Sequence, residues 1–160
     1  MKRYLVVANQ TGDSPSLLKK TRQLVEEDAL AEFVVLAPRH PAPMGFVLGG
    51  DRRNATQLAL WRAQRTADRL RSAGAKVVDT RLGGFDPLAA VDQELQFGTY
   101  TGVIISTLAP GMSRWLHLDL PSKLRARWPL LDVIQVTAPT PYHVEREENL
   151  GTMPETRTPA

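Results

Sequence analysis

Short apolar runs alternate with helix-like segments along most of this chain, and this alternation restricts the fold more than any other feature. Five runs have the length and composition of buried strands, at residues 4–8, 32–37, 76–82, 103–107 and 132–137. Strands that alternate with helices are joined by right-handed crossovers and lie parallel in one sheet. The sequence therefore predicts an α/β fold, a doubly wound five-stranded parallel sheet with helices on both faces.

Residues that favour helix ends delimit the helices between these strands. The predicted helices span residues 17–31, 56–73 and 87–97, and a shorter one follows Asp119. Gly74 stops the second helix. Asp86 and Asp119 are both interpreted as N-caps, because each is followed within two residues by a proline at the start of a helix.

One domain accounts for the chain. Its 160 residues suffice for a sizeable core, and the predicted elements occupy residues 1–138. Residues 139–160 are rich in proline and mixed charge, so they are predicted to form a flexible tail. Residues 38–53 are predicted to form a long loop, and such loops serve as lids, binding loops or mobile insertions.

Composition excludes several classes of protein. The chain has no cysteine, which excludes disulfides, thiolate metal sites and cysteine nucleophiles. The apolar run at residues 4–8 is too short for a signal peptide or a membrane span, so a cytoplasmic protein without membrane association is expected. Arg62, Arg65 and Arg69 share one helix face, which is interpreted as solvated, and nucleic acid is not expected as a partner.

Signatures of catalysis are missing from the sequence. It contains neither a P-loop nor a GxGxxG motif after the first predicted strand. Ser113 resembles the serine of a nucleophile elbow, but Trp115 replaces the final glycine, so Ser113 is interpreted as a helix cap. The three histidines, His40, His117 and His143, have no metal-ligand spacing. A non-enzymatic protein without a metal is expected.

The loop after the fourth predicted strand is the strongest candidate for a binding site. Ligands of open α/β sheets usually bind beyond the carboxyl ends of the strands. Side chains and backbone able to hold an anion are concentrated there, at Ser106, Thr107, Gly111, Ser113 and Arg114. The candidate cofactor-binding residues are these five together with Asn9 and Gln10, after the first strand, and Leu36 in the second.

The order of elements, the Ala8-Asn9-Gln10 sequence after the first strand and the region of the fourth strand resemble the universal stress protein family. The resemblance covers residues 3–138, and the segments ANQT and STLAPGMSRWLHLDLP resemble a divergent, actinobacterial-type branch of that family. It implies five parallel strands with four helices, and many members bind ATP. Because these domains commonly dimerise through the last strand, it also implies a homodimer through that edge.

The phosphate-binding motif of the ATP-binding members is altered in this chain. Those members have an aspartate after the first strand, where this chain has Asn9. They also carry Gly-x-x-Gly, nine residues, then Gly-Ser or Gly-Thr, positions that fall here on Ile105, Leu108 and Leu118-Asp119. As an N-cap, the Asp119 carboxylate would occupy the anion position at the helix N-terminus and repel phosphate. The resemblance thus implies a degenerate site with weak or no ATP binding.

Two functions are expected from these observations. The first is a non-enzymatic, stress-linked regulatory or interaction domain that has no cofactor and acts through a protein partner. The alternative is a nucleotide- or anion-binding protein, with ATP or another adenine nucleotide held weakly in a rearranged site at the carboxyl ends of strands 1 and 4.

Overall fold

A computed structural model describes residues 1–8, 12, 14–39, 51–108 and 119–138, apart from the side chains of residues 51–53. These residues form five strands, namely β1 (Arg3–Val7), β2 (Glu32–Pro38), β3 (Lys76–Gly83), β4 (Gly102–Thr107) and β5 (Asp132–Thr137). They also form four helices, namely α1 (Pro15–Glu27), α2 (Asp51–Ser72), α3 (Pro87–Phe97) and α4 (Leu120–Arg127). The predicted tail at residues 139–160 lies outside the described residues.

All neighbouring strands are parallel, in the order β3-β2-β1-β4-β5. The central strands are buried along almost their whole length, which explains why residues 4–7 of β1 and 103–105 of β4 are apolar without alternation. The prediction of a doubly wound five-stranded parallel sheet is confirmed.

Two hydrophobic cores lie on opposite faces of the sheet because successive strand residues point to opposite sides. On the first face, Val6, Phe33 and Ile104 belong to the core that also contains buried residues of α1 and α2. On the second face, Val7 and Ile105 belong to the core that contains buried residues of α3 and α4. Helices therefore cover both faces, as predicted.

Helix α1 ends earlier than the predicted residue 31, and Asp28 is the reason. The Asp28 carboxylate accepts hydrogen bonds from Lys2 N at 2.8 Å and from Leu30 N at 3.0 Å. These bonds stabilise a turn and link it to the start of β1, so the chain leaves the helix at Glu27. The predicted stop at Gly74 is confirmed, since its φ of 91° suits glycine.

Helix α2 begins at Asp51, five residues before the predicted start at residue 56, so the predicted loop 38–53 is shorter at both ends. Residues 40–50 of that loop lie outside the described residues. The prediction that the arginine face of α2 is solvated holds for Arg69, which is exposed. It is wrong for Arg62, which is only 8% exposed. In the part of the chain that the structure describes, no helix is long and apolar enough to span a membrane.

Candidate functional site

A crevice between β1 and β4 follows from the order of the strands. From β1 the chain leads into α1, on the first face of the sheet, whereas α4, which follows β4, lies on the second face. Connections that diverge to opposite faces leave an opening at the carboxyl ends of the two strands, and open α/β sheets bind ligands at this point. This crevice lies at the carboxyl ends of the two strands for which the sequence predicts a binding site, and the site itself stays a prediction.

Ser106 and Thr107 end β4 at this crevice, and both are buried. The Thr107 carbonyl accepts a hydrogen bond from Ala138 N at 2.8 Å. In contrast, the Thr107 Oγ1 atom is buried without a hydrogen-bond partner among the described residues. A buried hydroxyl without a partner costs about 1–3 kcal/mol, so a group that formed a hydrogen bond with this atom would be stabilising.

Leu36 occupies a different kind of position from Ser106 and Thr107. It lies opposite Val7 in the sheet, and its side chain is buried in the second core. Its carbonyl accepts a hydrogen bond from Ala8 N at 2.9 Å, which extends the pairing of β1 with β2 toward the crevice. Leu36 therefore supports the end of β1 by packing and by its backbone.

The structure thus describes three of the eight predicted site residues, Leu36, Ser106 and Thr107. The other five, Asn9, Gln10, Gly111, Ser113 and Arg114, lie outside the described residues.

Asp119 is at the N-cap position of α4, as predicted, but it does not cap the helix. Its backbone is left-handed, with φ 53° and ψ 39°, and its side chain makes no cap hydrogen bond. The prediction that its carboxylate occupies the anion position is therefore wrong, because a left-handed N-cap does not hold the extended conformation of a capping aspartate. No amide at the start of α4 donates a hydrogen bond to the Asp119 side chain, and amides without a cap are able to bind an anion.

Two further residues near the carboxyl ends of the strands were missed by the sequence reasoning. Gly12, in the connection after β1, packs so closely on Thr66 of α2 that a Cβ atom there would collide with the threonine. Arg39, directly after β2, has its guanidinium 5.9 Å from the centre of the Phe85 ring. A glycine after the first strand and an arginine after the second are weak sequence signals, since both types are common in loops.

Metal binding receives no support in the described ranges, where no group of three or more histidine, cysteine, aspartate or glutamate side chains is placed to hold an ion. Among the described residues, the groups after β4 that can contact a ligand are the hydroxyls of Ser106 and Thr107 and the amides at the start of α4, which Asp119 precedes. Hydroxyls and amides bind phosphate and ribose by hydrogen bonds.

Comparisons with known proteins address the fold. No family model and no curated protein match the sequence. Among solved structures, a universal stress protein from Archaeoglobus fulgidus has a TM-score of 0.54 at 15% identity, covering 85% of this chain and 93% of that one. A universal stress protein family protein from Arabidopsis thaliana with AMP bound has a TM-score of 0.51 at 11% identity, covering 88% of this chain and 94% of that one.

A universal stress protein in complex with cAMP has a TM-score of 0.51 at 16% identity, covering 84% of this chain and 96% of that one. Identities this low show a common architecture and do not show a common ligand. The narrower resemblance to an actinobacterial-type branch stays a prediction. In the order of its elements and the topology of its sheet, the chain has the fold of the universal stress proteins.

Proposed function

We propose that this domain is a non-enzymatic regulatory module that binds an adenylate such as AMP or cAMP and binds ATP weakly or not at all. The observation that carries the proposal is the buried, unpartnered Thr107 hydroxyl at the crevice between β1 and β4, as judged among the described residues. Two structures of the same fold contain AMP and cAMP. A non-enzymatic role is supported by the catalytic motifs missing from the sequence.

Weak binding of ATP is supported by the start of α4. The first amides of this helix favour an anion, but Asp119, an exposed and negatively charged residue, immediately precedes them in the chain. Its repulsion grows with the charge of the ligand, so it disfavours a triphosphate more than a monophosphate or a cyclic phosphate. At the motif position of the first glycine, Ile105 is fully buried in the second core and offers no open backbone.

The first test measures adenosine, AMP, cAMP and ATP binding by isothermal titration calorimetry, with Thr107→Val as the variant. Valine keeps the shape and removes the hydroxyl, so we expect a stable variant that binds AMP about tenfold more weakly, the loss of one hydrogen bond. Thr80→Val, in β3 away from the crevice, is the matched control and should bind normally. Unchanged AMP affinity in Thr107→Val would exclude the proposed role of the hydroxyl.

The second test concerns selectivity between adenylates. Asp119→Asn removes one negative charge beside the start of α4 and should raise ATP affinity about tenfold, leaving adenosine affinity unchanged. Asp86→Asn removes a charge at the start of another helix, α3, and is the control. It should change neither ATP affinity nor adenosine affinity. If wild-type protein binds ATP more tightly than AMP, the proposed selectivity is wrong.

An assay for nucleotide turnover tests the proposal that the protein is not an enzyme. Purified protein should leave ATP, AMP and cAMP chemically intact during prolonged incubation, as followed by chromatography of the nucleotides. Turnover that co-purifies with the folded protein and disappears in Thr107→Val would replace the regulatory proposal with an enzymatic one.

We further propose that the module acts as a homodimer through the edge of β5. A protein partner would then bind the form of the dimer that contains the adenylate. Among the described strands, β5 is the outermost on its side of the sheet, and an edge strand favours pairing with another strand. Light scattering at micromolar concentrations should give twice the mass of one chain. A monomer at micromolar concentration would exclude the proposed assembly.

A further inference from the structure

An arginine contacts a backbone carbonyl at each free edge of the sheet. Arg71 Nη2 lies 3.4 Å from the Val77 carbonyl in β3, and Arg125 Nη2 lies 3.3 Å from the Val133 carbonyl in β5. In both cases the carbonyl belongs to the second residue of an outer strand, and the arginine comes from the helix immediately before that strand. The two edges are thus directly comparable.

The Val133 carbonyl points away from the sheet. Asp132 N donates to Thr101 O at 3.2 Å and Ala138 N donates to Thr107 O at 2.8 Å, so the even-numbered residues of β5 face β4. Because the backbone groups of successive strand residues alternate in direction, those of Val133, Gln135 and Thr137 face outward. A strand added at this edge would use these groups.

Strand β3 carries further features that prevent such pairing. Its register with β2 shifts between Phe33 and Val34, which marks a bulge. It also carries Lys76, Asp79 and Arg81, and both bulges and charges discourage edge-to-edge association.

Strand β5 pairs with β4 in one continuous register, and residues 133–137 contain neither charge nor proline. In an antiparallel pair of two such strands related by a two-fold axis, no like charges would meet within residues 133–137. Of these two edges, β5 is therefore the one suited to a second copy of this chain.

We propose that Arg125 is a latch on the β5 edge, which must release the Val133 carbonyl before a second copy of the chain pairs there. The inference rests on the proposed homodimer and adds its regulation. Each copy loses one hydrogen bond from a charged donor when the dimer forms, so the latch acts twice per dimer. In the monomer, Arg125 occupies the Val133 carbonyl, and this contact raises the concentration at which dimers form.

Sedimentation velocity over a concentration series tests the latch with Arg125→Met, which keeps the aliphatic stem and removes the guanidinium. We expect the dimer dissociation constant to fall about tenfold, equal to about 1.4 kcal/mol, because two weak, part-buried contacts no longer oppose pairing. Arg71→Met is the matched control and should leave the constant unchanged, since β3 has its bulge and charges. Melting temperatures of both variants establish that they are folded.

Amide hydrogen exchange shows where the dimer forms. The Gln135 and Thr137 amides should become protected as protein concentration rises, and at lower concentration in Arg125→Met. The chain has no cysteine, so Gln135→Cys offers an independent readout as the single thiol. It should form a disulfide-linked dimer in mild oxidant, whereas Val78→Cys at the β3 bulge should not.

The outcomes separate the latch from the dimer. A dimer with protected β5 amides and an unchanged constant in Arg125→Met overturns the latch and leaves the homodimer standing. Equal tightening in Arg125→Met and Arg71→Met also overturns it, since that would be an effect of charge alone. A dimer without protection at Gln135 and Thr137, or no dimer in any variant, overturns the proposed assembly itself.

Discussion

Helices α3 and α4 start in ways that look alike in sequence and differ in structure. Each starts after an aspartate that is followed within two residues by proline, and both helices pack on the second face of the sheet. Asp86 is extended, with φ −94° and ψ 112°, and its Oδ1 atom accepts hydrogen bonds from Leu88 N at 2.9 Å and Ala89 N at 3.4 Å. Asp119 is left-handed and makes no such bond.

The difference shows which helix start is structural and which is suited to a ligand. The first amides of α3 are satisfied by their own side-chain cap, so nothing is gained there by binding an anion. Helix α4 is instead anchored at its other end. The Asp92 carboxylate of α3 accepts hydrogen bonds from Arg127 and from Trp128 Nε1, the latter at 2.8 Å. The amides at the start of α4 therefore have no side-chain cap and can bind a ligand.

The strongest test of this comparison removes the anchor of α4. Asp92→Ala leaves the Trp128 and Arg127 donors without their acceptor in a site where Asp92 is 8% exposed, so we expect a loss of about 2 kcal/mol in the free energy of unfolding. Urea denaturation measures it. Asp68→Ala, which removes an exposed contact with Arg71 on α2, is the control and should change stability far less. Equal losses would show that α4 is not held through Asp92.

The caps themselves provide the next test. Asp86→Ala should cost about 1 kcal/mol, because two amides of α3 lose their acceptor. Asp119→Ala should cost much less from lost capping, since no cap bond exists there to lose. If urea denaturation gives the same loss of free energy of unfolding for both variants, the two aspartates cap their helices equally in solution. The inferred difference between the starts of α3 and α4 would then be wrong.

The smallest expected effect comes from glycine substitutions, which should change the free energy of unfolding in opposite directions at Asp119 and Asp86. Asp119→Gly places glycine where φ is positive, which glycine adopts without strain, so a gain of about 0.5 kcal/mol is expected after the added freedom of the unfolded chain is subtracted. Asp86→Gly should destabilise the protein, because the side-chain cap is removed. A loss in both variants would indicate that the left-handed conformation of Asp119 is not strained.

Much of the fold was predictable because it depends on local patterns. Residues 4–7 of β1 and 103–105 of β4 are apolar without alternation, which is typical of strands buried on both faces. Errors arose where one side chain overrides the pattern, as Asp28 does by ending α1 at Glu27. The start of α2 was missed because the residues after 50 lack a clear apolar period.

For the candidate site, the position of two residues in the fold was predictable and their surroundings were not, while the site itself stays a prediction. The rule that ligands bind beyond the carboxyl ends of strands located Ser106 and Thr107 at the crevice. No sequence pattern could show that the Thr107 hydroxyl would be buried without a partner among the described residues, since that depends on which side chains of other segments reach it.

For the described part of the chain, the sequence by itself determined the five strands, the four helices, the parallel sheet and the two apolar faces, because periodicity and helix-end preferences act between residues close in the chain. Only the tertiary structure decided that Asp119 is left-handed and that Arg125 contacts the outward Val133 carbonyl. Both depend on how α4 is placed against α3 and β5, and that placement is set by contacts between residues far apart in sequence, such as Asp92 with Trp128.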